Sequence, residues 1–425
     1  MSDTAATRVP EASLRGAALP WLLAIAAVVV LPFVFTDASH ITIMNQIAIT
    51  VVFALSYNML LGQGGMLSFG HAVYMGLGGF LVMHMMNWIE QDELPIPLPF
   101  LPLFAGFFGM GFATIIGSFS VKRAGTAFAM ISLGIGELIA ACSIIIVAFF
   151  GGEEGIAGDR TMGPPVFGVE WFTPGEVYWI IAGWMLLSAF LMYLFTRTPA
   201  GRMANAVRDN PERAEFVGYS QSRVRYISFI AAGFFAGVAG GLFAINFEIT
   251  TEENLNLVTS GTILLVAFLG GVGFFIGPVV GAIVFTLLQT VLSLHTGLWQ
   301  LYAGSLFVLT VMFFPGGLTG LFAMHTVAFR LGRLGSLVAP YAKTLIPGLF
   351  GVLGLAGFIE IVHHAKHAAI GDDQMTLFWT TFSSHDILPW IVTGAVALGG
   401  FWLARRSAPE MKAAFESASQ IEART

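Results

Sequence analysis

The sequence is poor in charge and in cysteine. Only 10% of its 425 residues are Asp, Glu, Lys or Arg, whereas an ordinary soluble domain has about 25%. So little charge excludes the polar surface that a soluble enzyme, a nucleic-acid-binding protein or a disordered scaffold needs. The single cysteine, Cys142, lies in an apolar run, so an intramolecular disulfide and a disulfide-stapled secreted fold are excluded.

The chain also lacks sequence motifs that bind nucleotide phosphates or relay protons. None of its four lysines follows a glycine, so the Gly-Lys-Ser/Thr phosphate loop is missing. The apolar runs hold no series of carboxylates that could relay protons. His363, His364 and His367 have metal-like spacing, but no cysteine is near and their interfacial position favours another role. We expect no catalytic residue, metal or cofactor in this chain.

The sequence is rich in long apolar runs, since 56% of its residues are hydrophobic. A helix needs roughly 20 apolar residues to cross a bilayer. Because the runs are continuous and not alternating, they exclude a transmembrane β-barrel. They predict an all-α polytopic membrane protein with ten core transmembrane helices, an internal repeat and about two extra C-terminal helices. The core runs are 19–35, 38–89, 94–121, 124–152, 177–196, 226–247 and 254–329, and the extra ones are 344–362 and 387–404.

The basic residues predict the orientation. With the N-terminus in the cytoplasm, ten crossings place 13 of the 19 basic residues inside. Two further C-terminal crossings raise that number to 17 and leave only Arg160 and Lys366 outside. This distribution satisfies the positive-inside rule and predicts that both termini are cytoplasmic. No signal peptide is recognisable, and residues 19–35 are interpreted as a retained first helix.

One predicted inside loop, residues 197–225, carries six arginines. Residues 200–207 predict a short helix, Asn210 and Pro211 a break, and residues 212–217 a second short helix that ends at Gly218. Two interpretations stay open. The arginines fix the topology and touch lipid headgroups, or the two helices form a rigid surface that docks a cytoplasmic partner.

The same loop carries a family resemblance. Its motif resembles the ATPase-coupling loop of the branched-chain amino acid permease family of ABC importers, and in particular of the M-type permease subunit. Four further segments agree with that family in order and spacing, at 54–72, 150–158, 269–282 and 314–321. The motif residues are Gly201, Arg202, Ala206, Arg208, Asp209, Asn210, Pro211 and Gly218.

The resemblance implies a permease domain over residues 19–322 of a bacterial inner-membrane importer. It implies a second, homologous permease subunit and two cytoplasmic ATP-binding subunits, which would hold ATP and Mg²⁺. It also implies a periplasmic binding protein that delivers branched-chain or other hydrophobic amino acids. Urea and short amides are the alternative substrates. A secondary carrier or channel and a non-transporting membrane scaffold are the alternatives from other classes.

The C-terminal region departs from the family pattern. Family members usually finish near residue 322, whereas this chain continues to residue 425. Outside the permease domain we predict four segments, and the role of the extension is unassigned. They are a cytoplasmic tail at 1–18, an amphipathic interfacial segment at 323–343, a hydrophobic extension with two possible spans at 344–404 and a cytoplasmic tail at 405–425.

Two glycine-dense segments are candidates for the transport path. A transporter site is typically built from interrupted helices near the middle of the membrane. A helix that starts near Ser68 would point its N–H groups at an amino-acid carboxylate. The alternative is that both segments are tight turns or close helix contacts. The candidate pathway residues are Gly64, Gly65, Ser68 and His71 in the first segment, and Gly271 and Gly273 in the second.

Glu137 is the only Asp, Glu, Lys or Arg inside the ten core runs. An intramembrane carboxylate is expensive and almost always has a partner. It either grips a substrate ammonium, as the last candidate pathway residue, or forms a bond to a neighbouring helix. Asn45, Gln46 and Asn58 either line the path or bond across helices, and the repeat at Gly233, Gly237 and Gly241 predicts close helix packing.

Overall fold

The computed structural model describes residues 14–165, 168–314, 316–367, 374–377, 380–383 and 386–419. The chain divides into two compact units, Met1–Gly320 and Leu321–Thr425. Residues 1–13 of the predicted N-terminal tail, and residues 420–425 of the predicted C-terminal tail, lie outside the described residues.

The first unit is a bundle of apolar helices joined by short turns. Each of the ten predicted core crossings coincides with one apolar helix of this unit. A π-helical turn, Met59–Gln63, extends α2, and a second one, Leu288–Leu292, extends α12. The helices are α1 Leu14–Val34, α2 Ala38–Asn58, α3 Ala72–Glu90, α4 Leu101–Ser120, α5 Thr126–Ile145, α6 Val147–Phe150, α7 Pro174–Arg197, α8 Pro199–Asp209, α9 Pro211–Phe216, α10 Gln221–Phe247, α11 Leu257–Gly270, α12 Gly277–Leu287 and α13 Trp299–Phe313.

Length and composition make this an all-α polytopic membrane protein, as predicted. Nine helices in the described part of the chain are long and apolar enough to cross a membrane, or ten if the bent pair Trp299–Phe313 and Gly317–Arg330 is one span. The apolar helices Leu19–Val34 and Gly277–Leu292 are shorter. The internal repeat stays a prediction.

Small residues bring α10 into close contact with α3 and α4 at the centre of the first unit. A Cβ atom added to Gly237 would lie 2.3 Å from the carbonyl oxygen of Ala105 on α4. One added to Gly240 would lie 1.8 Å from the carbonyl oxygen of Met75 on α3. The predicted small-residue face of this helix is therefore confirmed, because only glycine lets the backbones approach so closely.

A two-stranded ribbon and an arginine organise the loops at one end of the bundle. Strand β1, Ile156–Ala157, pairs antiparallel with β2, Ile249–Thr250. The preceding Gly155 has a φ of +72° and would place a Cβ atom 2.3 Å from the carbonyl oxygen of Thr250, so the loop requires glycine there.

Arg160 is the basic residue that the predicted topology leaves in this loop. Its guanidinium donates to the carbonyl oxygens of Ile245 (3.3 Å) and Asn246 (3.1 Å) at the end of α10, and lies 3.6 Å from the carboxylate of Glu248. Next to it, hydrogen bonds from Thr161 lower the pKa of the Asp159 carboxyl. Arg160 therefore binds the loop to the C-terminal end of α10. A cation is favoured there because the end of a helix carries partial negative charge.

The second unit is a helical hairpin. Its two long helices pack antiparallel, with Gly354 against Ala397 and Gly351 against Gly400. The predicted boundary at residue 343 does not coincide with a helix end, since one helix continues through it. The elements of the C-terminal region are α14 Gly317–Met324, α15 Thr326–Arg330, α16 Leu334–His367, β3 Gln374–Leu377, β4 Thr380–Ser383 and α17 Ile387–Ser419, with β3 and β4 antiparallel.

We expect Gly237→Ala to lower the free energy of unfolding by about 2 kcal/mol, because the methyl group overpacks the contact with α4. The thermal midpoint of the detergent-solubilised protein measures this loss. Gly111→Ala on α4 is the matched control, since nothing lies within 4 Å of its added Cβ atom. Equal midpoints for the two variants would contradict the close packing.

Candidate functional site

The first glycine-dense segment is a real interruption between α2 and α3. After the π-helical turn Met59–Gln63, residues 64–71 form no regular helix. Helix α3 begins at Ala72, so the expectation of a helix starting near Ser68 is wrong. The physical reason is that side chains of other helices bind the amides of Phe69 and Ala72, which therefore do not need a helical turn.

Serine side chains on two other helices satisfy these N–H groups. The amide of Phe69 donates to Ser132 Oγ on α5 at 3.0 Å, and the amide of Ala72 donates to Ser260 Oγ on α11 at 3.0 Å. The Tyr57 hydroxyl on α2 donates to the carbonyl oxygen of Ser68 at 3.0 Å. The interrupted segment is thus held in one conformation, and its amides at Phe69 and Ala72 already have protein partners.

Three buried polar atoms beside this segment lack a partner among the described residues. They are Asn58 Oδ1, Ser68 Oγ and His71 Nδ1. The other ring nitrogen of His71 lies 2.9 Å from Ser56 Oγ, and the ring stacks on Phe53 with centroids 5.5 Å apart. Buried polar atoms are usually hydrogen-bonded. The predicted residues Ser68 and His71 therefore have unused bonding capacity next to α2.

The second glycine-dense segment joins α11 to α12 and touches the first. Gly271 has a φ of +113°, and an added Cβ atom would lie 2.2 Å from the carbonyl oxygen of Gly316, so only glycine fits. A Cβ atom added to Gly62 would lie 2.6 Å from the carbonyl oxygen of Val272. Gly273 faces open space. The structure therefore brings the two predicted breaks into direct contact.

The predicted coupling loop has the expected helix–break–helix form. Helix α8 is capped by Thr198, and α9 by Asn210, whose side chain accepts from the amide of Arg213 at 2.9 Å. Pro211 is the first residue of α9, and Gly218 follows its end with a φ of +92°. The order of elements over residues 199–218 is confirmed, whereas their role stays a prediction.

Two side chains of α8 bind the first break. Asn205 Nδ2 donates to Gln63 Oε1 at 2.7 Å, and the guanidinium of Arg208 donates to the carbonyl oxygen of Gly62. The carboxylate of Asp209 accepts a hydrogen bond from Arg208 Nε at 2.9 Å, which orients the guanidinium. The loop and the break are therefore one hydrogen-bonded unit, although about 140 residues separate them along the chain.

The far side of the same loop presents apolar side chains to its surroundings. Phe216 is 91% exposed and Val217 69% exposed. Val217 borders a cavity of about 320 Å³ between α8 and the turn after α9. Arg202 on α8 is exposed as well, while Gly201 is buried against the carbonyl oxygen of Phe195. An exposed aromatic and aliphatic pair on a charged loop is typical of a protein-binding surface.

A cavity of about 330 Å³ lies among six helices of the first unit. It has no charged side chain, and its wall mixes aromatic with amide and hydroxyl groups. Of the residues named from the sequence, Gln46 lines it, whereas Asn45 bonds across helices to Asn246 at 2.9 Å. The lining residues are Gln46, Ile49, Thr50, Phe53, Met75, Phe243, Phe247, Asn254, Val258, Thr259, Thr262, Ile263, Phe285, Gln289, Trp299 and Gln300.

None of the candidate pathway residues lines this cavity. Phe53 connects the two regions, because it lines the cavity and stacks on His71. The sequence did contain a signal for the cavity. Gln46 and Thr50 lie one helical turn apart in an uncharged run, and polar side chains at that spacing share one face of a helix.

Glu137 does not line the cavity, although Gly136, the residue before it on α5, contacts Gly70 in the first break. Glu137 is exposed on α5, and within the described ranges no side chain forms a hydrogen bond or ion pair with it. Its neighbours on the helix, Met130, Leu138 and Ile145, are also exposed, at 57%, 62% and 78%. Elsewhere in the described part of the chain, no three His, Cys, Asp or Glu side chains converge to hold a metal ion.

Comparison with known proteins places this arrangement among transport proteins. The family described as "Branched-chain amino acid transport system / permease component" matches residues 39–316. The chain is similar to the high-affinity branched-chain amino acid transport system permease protein LivM of Salmonella typhimurium and of Escherichia coli. Each is 23% identical to it, over 68% of this chain and 71% of the relative.

A second similarity covers a shorter part of the chain. The autoinducer 2 import system permease protein LsrC of Klebsiella pneumoniae is 31% identical over 36% of this chain and 46% of its own length. No solved structure matches the chain. The family match ends before the second compact unit, Leu321–Thr425, begins.

We expect Ser260→Ala to lower the free energy of unfolding by about 2 kcal/mol, because it leaves the buried amide of Ala72 without a partner. The thermal midpoint in detergent measures the loss. Ser118→Ala is the matched control, since that hydroxyl is exposed and bonds only the carbonyl oxygen of Ile115 in its own helix. If both variants have the same thermal midpoint, Ser260 does not stabilise the interrupted segment.

Proposed function

Because the chain belongs to the family of branched-chain amino acid transport system permease components, we propose that it is the membrane subunit of an ATP-driven importer of branched-chain or other hydrophobic amino acids. The observation that carries the proposal is the direct bonding of the α8 side chains Asn205 and Arg208 to the interrupted end of α2. Such a connection is what a subunit needs if energy enters at a surface loop and the substrate moves between helices.

ATP would be hydrolysed on two separate cytoplasmic subunits that bind the loop at 199–218. This chain has no phosphate loop of its own. The exposed Phe216 and Val217 supply the apolar anchor of the docking surface, and the arginines around them supply its charge. Apolar and aromatic side chains at the centre of an interface with charge at its rim are typical of protein partners.

A shift of the docked loop would move the breaks. Arg208 holds the carbonyl oxygen of Gly62, and Gly62 packs on the carbonyl oxygen of Val272 in the second break. A displacement of α8 therefore reaches the ends of α2 and α11 together. Both helices line the 330 Å³ cavity, so its access would change with the state of the ATP-binding subunits.

The chemistry of the cavity supports a hydrophobic amino acid as substrate. Aromatic walls such as Phe53 and Phe285 suit an aliphatic side chain, while uncharged groups such as Gln46 and Thr259 suit its polar end. A periplasmic binding protein would deliver the substrate to the opposite face from the coupling loop. The names of the two LivM relatives support the branched-chain class.

The charge distribution supports a bacterial inner-membrane location with cytoplasmic termini. Six arginines lie in the stretch 197–225, whereas the loops that the topology predicts on the opposite side of the membrane carry mainly acidic residues. Arg160, one of the two basic residues that the predicted topology leaves outside, has a structural task at the end of α10. The positive-inside rule therefore supports a cytoplasmic position for the loop at 199–218, on the side where ATP-binding subunits would bind.

Glu137 supports a second, homologous permease subunit as partner. A carboxylate facing lipid at the centre of a helix costs about 3 kcal/mol. Contact between α5 and another permease subunit would remove that cost. In this position the carboxylate pairs with a substrate ammonium or with a group of the second subunit.

Two substitutions should separate docking from coupling. Phe216→Ser removes the anchor, so the ATP-binding subunits should no longer co-purify and uptake should be lost. Arg208→Gln keeps the anchor but loses the bond to Gly62, so co-purification should persist while leucine uptake falls at least tenfold. Pull-down and uptake into proteoliposomes measure both effects.

Arg123→Gln is the charge-matched control, because this exposed arginine lies in the turn between α4 and α5. It should leave both readouts unchanged. The proposal fails if no ATP-binding subunit co-purifies with the unmodified chain. Uptake of urea or short amides in place of leucine would overturn the substrate class alone.

Glu137→Gln tests the exposed carboxylate of α5. We expect a higher half-saturation concentration for leucine uptake if the charge grips the substrate, and weaker association of the second permease subunit if it holds the interface. Uptake kinetics and quantitative co-purification distinguish these roles. Wild-type values in both measurements would contradict the assignment of Glu137 to the pathway.

A further inference from the structure

A groove of about 430 Å³ opens on the first unit between α1, α2, α7 and the start of α12. Its surface is apolar except at one end, where Tyr193 and Arg197 lie. It is separate from the 330 Å³ cavity and shares no lining residue with it. The groove is lined by Pro20, Trp21, Ala24, Val51, Leu55, Met185, Leu186, Ala189, Tyr193, Arg197, Phe275, Ile276 and Val279.

Aromatic rings define the end of the groove near Arg197. Trp21 of α1 meets Tyr193 of α7 edge to face, with centroids 5.6 Å apart, and Tyr193 meets Phe275 at 5.5 Å. The floor consists of Val51 and Leu55 on α2. Tryptophan and tyrosine favour the boundary between the apolar core of a membrane and its headgroups. The groove therefore begins at headgroup level and runs into the apolar layer.

Arg197 gives this mouth a positive charge. Its guanidinium donates to the Tyr193 hydroxyl and lies 5.0 Å from the centre of the Tyr193 ring. The side chain is exposed, and no carboxylate in the described part of the chain forms an ion pair with it. A guanidinium that is oriented by an aromatic ring and lacks an anionic partner is suited to bind a phosphate.

We propose that this groove binds an anionic phospholipid, with one acyl chain against Val51 and Leu55 and the headgroup phosphate on Arg197. Water molecules are poorly stabilised in such a groove because most of its wall offers no hydrogen bond. A basic residue at the rim of a groove between membrane helices favours anionic over zwitterionic lipid. The proposal does not depend on which solute the chain transports.

A lipid in this groove would contact the connection between α11 and α12, which is the second break. Phe275 and Ile276, which line the groove, belong to the connection between α11 and α12. An acyl chain packed on Phe275 therefore supports the same segment that contacts Gly62 through Val272. The lipid stabilises one position of that segment.

Trp21 provides the reporter for the test. The full-length protein is placed in phosphatidylcholine nanodiscs that contain rising fractions of brominated phosphatidylglycerol, and its fluorescence is compared with that of Trp21→Phe. The difference isolates quenching at Trp21. We expect saturable quenching at low fractions of the brominated anionic lipid, and much weaker quenching when the bromine is on phosphatidylcholine.

Two variants test the charge and the space separately. Arg197→Gln should raise the half-quenching fraction about fivefold, as expected for one basic residue at an anionic surface. Ala189→Phe fills the groove without changing its charge and should abolish the saturable component. Arg123→Gln removes an exposed arginine outside the groove and should leave it unchanged.

Three results would overturn the proposal. One is equal quenching by brominated phosphatidylcholine and brominated phosphatidylglycerol in the unmodified protein. Another is saturable quenching that survives both Arg197→Gln and Ala189→Phe. The third is displacement of the brominated lipid by millimolar leucine, which would assign the groove to a soluble amino acid.

Discussion

Backbone polar groups inside a membrane must find their partners within the protein, and the first unit depends on how this requirement is met between α2 and α3. Here the chain leaves helical geometry for eight residues. Ser132 and Ser260 supply the acceptors that a helical turn would have supplied. An added Cβ atom at Gly70 would lie 2.3 Å from the carbonyl oxygen of Ser132, so α5 is fitted closely to the interruption. The break is therefore a built element that fixes α5 and α11 around α2.

The same requirement explains why the surface loop is bonded to the break. Where the π-helical turn of α2 ends, the carbonyl oxygen of Gly62 has no helical donor, and Arg208 provides one. A cation suits this place because the C-terminal end of a helix carries partial negative charge. The arginine that satisfies the backbone is thus also the connection along which a displacement of the loop reaches the helices.

Sequence patterns predicted those structural features that depend on residues close together in the chain. Uncharged runs located the ten apolar helices, and Asn210, Pro211 and Gly218 indicated the break between α8 and α9 and the end of α9. Patterns failed where the partner is distant in sequence. The start of α3 at Ala72 depends on Ser260, 188 residues away. No local pattern reports that pairing, so the predicted start near Ser68 was wrong.

The candidate site shows the same limit. Glycine density correctly identified two places where helices are interrupted, but it did not reveal that Gly62 and Val272 touch or that Arg208 lies between loop and break. Of the cavity lining, sequence patterns indicated only Gln46, for a related reason. Its polar groups are single Gln, Thr and Asn side chains from several helices, and each one alone is an ordinary helix residue.

The close glycine contacts also constrain how the breaks can move. A Cβ atom at Gly270 would lie 1.9 Å from the carbonyl oxygen of Gly277, and one at Gly62 would lie 2.6 Å from the carbonyl oxygen of Val272. Backbones this close cannot slide past each other without losing dispersion contacts on both sides. The ends of α2 and α11 and the start of α12 therefore form one tightly packed cluster. A force on Gly62 through Arg208, or the proposed lipid on Phe275, would act on that whole cluster and not on a single loop.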